Sequence, residues 1–188
     1  MSSMPEKPDI TLHLVADPGQ SSVARALFRE YQAEIGIDLS FQDFSAEVAS
    51  LPGGYAPPRG RLYVVNVDGE PAGCIALRPR TGDVCEMKRL FVRARYRTLR
   101  LGRLLSEQLI ADARSMGYAR MVLDTLPSMQ RAQSLYRSLG FKAIDPYTFN
   151  PVEGAVYMEL KLNDPGTPSQ SDCSWPVPGN GPTGIDSL

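Results

Sequence analysis

MKRLFVRARYRTLRLGRLLS, residues 87–106, carries seven Lys or Arg side chains and no acid, with an apolar strand before the basic cluster and a leucine-rich helix after it. A strand that breaks into a basic turn and then opens a helix aims free backbone N–H groups, and the positive end of the helix dipole, at whatever sits in the turn. An anion site is predicted there, and phosphate is its natural guest. The rest of the chain decides whether that phosphate belongs to a nucleic acid, a nucleotide or a cofactor.

The net charge of -1 on 188 residues argues against general nucleic-acid affinity, which needs a basic domain, so the positive charge is local. With 43% apolar and 22% charged residues the chain suits one soluble domain with a buried core. Its apolar runs are strand-length and MSSMPEKPD lacks the apolar centre of a secretory signal, so no membrane span is expected and the default location is cytoplasmic. Cys74, Cys85 and Cys173 form an odd set without C-x-x-C spacing, which points to no disulfide framework and no zinc site. A single histidine, His13, puts histidine-rich metal sites and most Ser-His or Cys-His pairs out of reach, so no metal is expected.

Working outward, residues 1–9 read as a flexible end, 10–162 as the folded domain, and 163–188, rich in Pro, Gly and Ser and holding Trp175, as a disordered tail. ITLHLV (10–15) alternates as a half-buried strand does; a helix follows from Ser21-Ser22 to Gly36, then a shorter one over 43–51. Arg61–Val67 and Pro71–Arg78 flank Asp68-Gly69, a strong hairpin turn, and Val84–Val92 adds a third antiparallel strand. After the basic turn come a helix ending at Gly117, a strand over 119–124, a helix closed by Gly140, and strands over 141–144 and 155–162. The order β-α-α-β-β-β-α-β-α-β-β is an α+β domain with a mixed, mainly antiparallel central sheet flanked by helices.

Two segments, VCEMKRLFVRARYRTLRLGRLL (84–105) and AQSLYRSLGF (132–141), carry a resemblance: over residues 10–162 the chain resembles the GNAT superfamily of acyl-CoA-dependent N-acyltransferases. The family's R/Q-x-x-G-x-G/A turn falls on Arg97-Thr98-Leu99-Arg100-Leu101-Gly102, with Arg100 in place of the first glycine. The resemblance implies acetyl-CoA as acyl donor, its pantetheine arm on the backbone of Leu90, Phe91 and Val92 and its pyrophosphate on the backbone from Thr98 to Arg103. A cofactor with about four negative charges also gains from the field of Arg93, Arg95, Arg97, Arg100 and Arg103. The bland alternative is an ordinary helix start with solvated arginines.

Acyl transfer needs a neutral amine, and an amine of pKa near 10 costs about 4 kcal/mol to deprotonate at neutral pH. Glu86 is the candidate base: strand alternation puts Glu86, Lys88, Leu90 and Val92 on one face, upstream of the pantetheine arm. A surface carboxylate paired with Lys88 or Arg78 is the competing reading. Tyr136 matches the tyrosine of the family's A-x-x-L-Y-x-x-x-G-F pattern, which implies protonation of the departing sulfur, although its helical spacing also fits a core position. Three residues before Ala132, where many relatives carry asparagine, stands Met129, with Ser128 and Thr125 as nearby polar substitutes.

Gln42, Phe44, Tyr55 and Tyr147 are the candidate acceptor-lining residues, on the side built by the first two helices, the YAPPRG loop (55–60) and the late loop. The expected activity is direct acetyl transfer to a primary amine of a small molecule, amino acid or peptide by a monomer or homodimer. The alternative is an acyl-CoA-binding sensor or partner module on the same fold.

Overall fold

The structure is a computed structural model that describes residues 7–163. The tail expected over 163–188, with Cys173 and Trp175, lies outside the described residues apart from Asn163. Of the expected flexible start, Asp9 is tied down: its N–H donates to Asp68 Oδ1 (2.8 Å) and its carbonyl accepts from the Asp68 N–H (2.7 Å).

The elements follow the expected order: β1 (Ile10–Leu14), α1 (Ser22–Ile35), α2 (Phe44–Ser50), β2 (Arg61–Val67), β3 (Glu70–Pro79), β4 (Val84–Val92), α3 (Leu101–Ser115), β5 (Arg120–Thr125), α4 (Gln130–Ser138), β6 (Lys142–Ile144) and β7 (Val156–Lys161). Asp68 and Gly69 both take positive φ, as the tight turn joining two right-twisted strands requires. The seven strands make one sheet in the order β1-β2-β3-β4-β5-β7-β6, antiparallel except for the parallel pair β4–β5. No helix among the described residues is long and apolar enough to cross a membrane.

Alternation along the strands divides the core in two. Tyr63, Val65, Ile75, Leu77, Cys85 and Met87 pack with Leu101, Leu105 and Leu109 of α3, while Leu62, Val64, Cys74 and Ala76 pack with Leu27 and Phe28 of α1 and with Phe44 and Val48 of α2. Cys74 and Cys85 are fully buried, and burial pushes both thiols up, Cys85 to about 12, so neither is a ready nucleophile.

Two irregularities in β4 position everything that follows. Opposite β3, Lys88 pairs with Ala76 and Phe91 with Cys74, so β4 takes three steps where β3 takes two; Arg89, at φ 59°, is in the bulge. A Cβ on Gly73 would lie 2.4 Å from the Phe91 carbonyl oxygen, so only glycine lets β3 approach here. The second irregularity is a splay: registered pairing of β4 with β5 ends at Glu86–Val122, and the two strands diverge beyond it.

The bulge corrects the facing expected for this strand. Phe91 packs with the α1 and α2 side, whereas Leu90 and Val92 pack with the α3 side, so they do not share a face with Glu86 and Lys88. One inserted residue inverts the alternation, and a period-two reading carries no sign of it.

Candidate active site

A cavity of about 40 Å³ opens in the splay. Met87, Lys88, Arg89 and Leu90 of β4 line one side, and Leu123, Asp124, Thr125 and Leu126 the other. Tyr31 of α1, Gln42, Met129, Tyr136 of α4 and Asn150 line it as well, with Ile35, Leu39 and Phe41. Of the expected site residues, Tyr136, Gln42 and Leu90 therefore meet in one place.

Tyr136 is buried, and its hydroxyl has no hydrogen bond from the described residues. Burial, with smaller contributions from Tyr31 and Asp124, pushes that hydroxyl well above its ordinary range, so it remains protonated at any physiological pH. Met129 also lines the cavity, and Thr125 Oγ1 lies 3.8 Å from its sulfur.

Asp124 was not singled out in the sequence. Its carboxylate accepts from Lys88 Nζ at 3.1 Å and from Asn150 Nδ2 at 2.9 Å. Burial alone would raise its pKa, but the charge and hydrogen bond of Lys88 and the bond from Asn150 outweigh this and hold the carboxyl below its usual value. The available signal was a charge ending the apolar run MVLD (121–124), which reads equally as a helix-capping acid. Only the neighbouring of β4 and β5 pairs it with Lys88.

Glu86 is 0% exposed and does not line the cavity. Its carboxylate lies 2.7 Å from Arg78 Nε, 3.4 Å from Arg80 Nη1 and 3.9 Å from Lys88 Nζ, and accepts from the Tyr147 hydroxyl at 2.9 Å. The pairing with Arg78 and Lys88 weighed in the sequence is present, but in the interior. Tyr147 is thereby fixed against Glu86, with Arg80 over its ring at 4.9 Å, and does not reach the cavity wall.

Phe44 and Tyr55 also stand apart from the cavity. Both are buried in the core under α1 and α2, and the Tyr55 hydroxyl donates to Glu47 Oε1 at 2.7 Å. The same carboxylate takes a two-pronged bond from Arg89, Nε to Oε1 at 2.9 Å and Nη2 to Oε2 at 2.6 Å, beneath the rings of Phe44 and Tyr31. Arg59 of the YAPPRG loop stacks on Tyr118 at 4.6 Å, beyond the C-terminal end of α3.

The basic turn is less positive than its composition suggests. Arg93 is bidentate to Glu30, Arg97 pairs with Glu34 and donates to the Val92 carbonyl at 2.9 Å, and Arg103 bonds Glu107 and Ser138. Arg95 and Arg100 have no acidic partner among the described residues. Thr98 and Leu99 end the 3-10 turn Ala94–Leu99, and Leu101 opens α3. Gly102, in the first turn of α3, packs under Leu135 of α4, whose Cδ2 would lie 3.5 Å from an added Cβ. The backbone N–H groups of Leu101 and Gly102 fall among the helix-start donors that lack intrahelical partners.

The geometry is therefore a splayed parallel strand pair, a buried tyrosine and an ionised carboxylate lining one cavity in it, and an open helix start. A family model described as acetyltransferase (GNAT) family matches residues 23–141. The chain belongs to the GNAT family. An N-acetyltransferase of Schizosaccharomyces pombe is 40% identical over 157 residues, covering 82% of this chain and 96% of the relative. One from Dictyostelium discoideum is 34% identical, with coverage of 73% and 93%. The crystal structure of an acetyltransferase from Streptococcus agalactiae has the same fold, with a TM-score of 0.67 at 24% identity over 81% of this chain and 98% of that one. This GNAT protein is an N-acetyltransferase with an acyl-CoA donor, and the splay and helix start suit that donor.

At the family's first glycine position Arg100 adopts φ 57°, ψ 24°, the left-handed conformation. A non-glycine residue there costs about 1–2 kcal/mol, partly offset by the extra freedom glycine has in the unfolded chain. Arg100 is also exposed, so no packing is lost on its removal. Arg100→Gly is expected to stabilise the protein by about 0.5–1 kcal/mol, read as a rise of roughly 2 °C in thermal melting. An unchanged or lower melting temperature would show that the turn carries no strain.

Proposed function

We propose that this GNAT protein transfers the acetyl group of acetyl-CoA directly to the primary amine of a small molecule, amino acid or peptide, with Asp124 receiving the amine and Tyr136 supplying the leaving-group proton. The observation that supports it is the shared cavity: Asp124 and Tyr136 face the splay from different elements, one ionised and one protonated. Acetyl-CoA supplies an activated acetyl thioester and a sulfur leaving group. The backbone edge of β4 at Leu90 to Val92, where only the Val92 carbonyl is taken up by Arg97, and the helix start at Leu101 and Gly102 are the surfaces on which it is held.

Asp124 accepts a hydrogen bond from the acceptor amine, directly or through one water, and so orients its lone pair. Because Lys88 and Asn150 keep its pKa low, Asp124 does not retain the amine's proton at neutral pH, and that proton passes out to water. Glu86 holds Lys88, Arg78, Arg80 and Tyr147 in place and acts as a positioning residue. Asp124 is preferred to Glu86 as the group that meets the amine because it alone of the two lines the cavity.

Asp124→Asn is expected to lower kcat/KM about 100-fold while acetyl-CoA affinity holds. In the unsubstituted protein kcat/KM should rise with pH along the acceptor amine's own titration, with no carboxylate limb above about pH 5. Release of CoA thiol across a panel of amines, with mass spectrometry of the products, supplies the rates. Wild-type kcat/KM in Asp124→Asn would remove Asp124 from the reaction.

A further inference from the structure

Next to the reaction cavity a second, larger trough opens on the outer side of α2. It has a volume of about 390 Å³ and is lined by Gln42, Asp43, Glu47, Ser50, the Gly53-Gly54 turn and Arg78. Gln42 lines both openings, which sets the trough beside the reaction cavity. The inner cavity has room for roughly three waters, enough for an amino group and little more. The remainder of an acceptor therefore has to lie outside it, and the trough adjoins it.

Four cations, Arg78, Arg80, Lys88 and Arg89, and four anions, Asp43, Glu47, Glu86 and Asp124, lie at or behind these openings. Arg89 is matched by Glu47 and Lys88 by Asp124, which leaves Arg78 and Arg80 sharing the one carboxylate of Glu86. Arg78 spends only Nε on it, at 2.7 Å; neither terminal nitrogen has a hydrogen bond from the described residues, and the side chain is 37% exposed. A guanidinium anchored at Nε with both terminal nitrogens open is set up for two-pronged recognition of a carboxylate.

The trough also holds acids, and they do not cancel this feature. Glu47 is taken up by Arg89 and Tyr55, and Asp43 is exposed at the rim, where water screens it. Gln42 Oε1, on the side chain that the two openings share, is buried without a hydrogen-bond partner among the described residues, an acceptor left for a donor such as the N–H of an amine or amide.

We infer that the acceptor is an amine that carries a carboxylate, with the amine at Asp124, the connecting atoms past Gln42, and the carboxylate on the terminal nitrogens of Arg78. This rests on the acetyl-transfer reading and specifies its substrate class. Arg78 is a specificity residue in this scheme and takes no part in bond making.

The test uses the full chain with acetyl-CoA and matched acceptor pairs: glycine and the ω-amino acids up to 6-aminohexanoate, each against its own carboxamide. The expected result is a kcat/KM at least 10-fold higher for the free acid than for the amide at a preferred chain length. Arg78→Gln should remove that preference by raising KM for the acids alone, and Arg78→Lys should restore part of it. Calorimetric titration of the preferred acid into the CoA-saturated protein gives a readout independent of turnover, with affinity at least 10-fold weaker in Arg78→Gln. Equal rates for acids and amides, or a preference that survives Arg78→Gln, overturns this inference and leaves acetyl transfer standing. Failure of every amine to release CoA from a protein that binds acetyl-CoA overturns the acetyl-transfer reading itself.

Discussion

Glu47→Gln is expected to destabilise the protein by about 3–5 kcal/mol, because it leaves Arg89 charged and uncompensated in the interior. The Arg89 side chain is 2% exposed, and both of its hydrogen bonds to a side chain go to the Glu47 carboxylate. Glutamine retains one acceptor oxygen but no charge. A urea titration at pH 7 measures the loss, and a change below about 1 kcal/mol would mean that water reaches Arg89. The same pair sets an acid dependence. Burial would raise the Glu47 carboxyl, but the hydrogen bond and charge of Arg89 outweigh it, so its folded pKa lies below the unfolded value near 4.3. A lowered folded pKa means that the unfolded chain takes the proton first. This contribution is therefore complete above about pH 5 and lost as the pH falls, and Glu47→Gln should flatten the stability profile there. Replacing both partners, Glu47→Gln with Arg89→Met, should recover much of the stability without recovering activity, since Arg89 forms the bulge that lines the cavity.

Tyr136→Phe should lower kcat by about 100-fold or more while leaving acetyl-CoA affinity unchanged. Tyr136 lines the cavity, and its hydroxyl is held protonated by burial and has no internal hydrogen bond among the described residues to lose. For that reason the substitution should also change stability by less than about 1 kcal/mol, which separates a chemical role from a structural one. The ring itself packs on Phe141, with centroids 5.8 Å apart, and phenylalanine keeps that contact. Single-turnover transfer with a saturating amine isolates the step; a variant with wild-type kcat would make Tyr136 a core residue of the cavity wall and nothing more.

How far the sequence could be read depended on whether a feature was local. Turn chemistry at Asp68-Gly69, the glycine that closes α1, and the apolar faces of α1 and α3 all depend on residues within a few positions of one another. Tyr136 and the basic turn were legible because they sit in contiguous patterns. Phe44 and Tyr55 stand apart from the cavity, and nothing in a single segment says which side of a short helix or turn meets the sheet. Lys88 and Asp124 lie 36 positions apart, on strands that run parallel only because α3 carries the chain back across the sheet.

Charge shows the same division. Seven basic residues in twenty predicted a strong local field, and composition had no means of placing Glu30 and Glu34 of α1 against Arg93 and Arg97. By itself the sequence determined the order of elements, the helix start beside the basic turn, the tyrosine of α4 and, through them, the family. The tertiary structure alone decided that one bulge turns Arg89 inward, that the β4–β5 splay opens the cavity, and that the carboxylate within it is Asp124, with Glu86 buried behind. The physical reason is that period and propensity act along the chain, whereas bulge facing, strand divergence and ion pairing arise from contacts between segments distant along it.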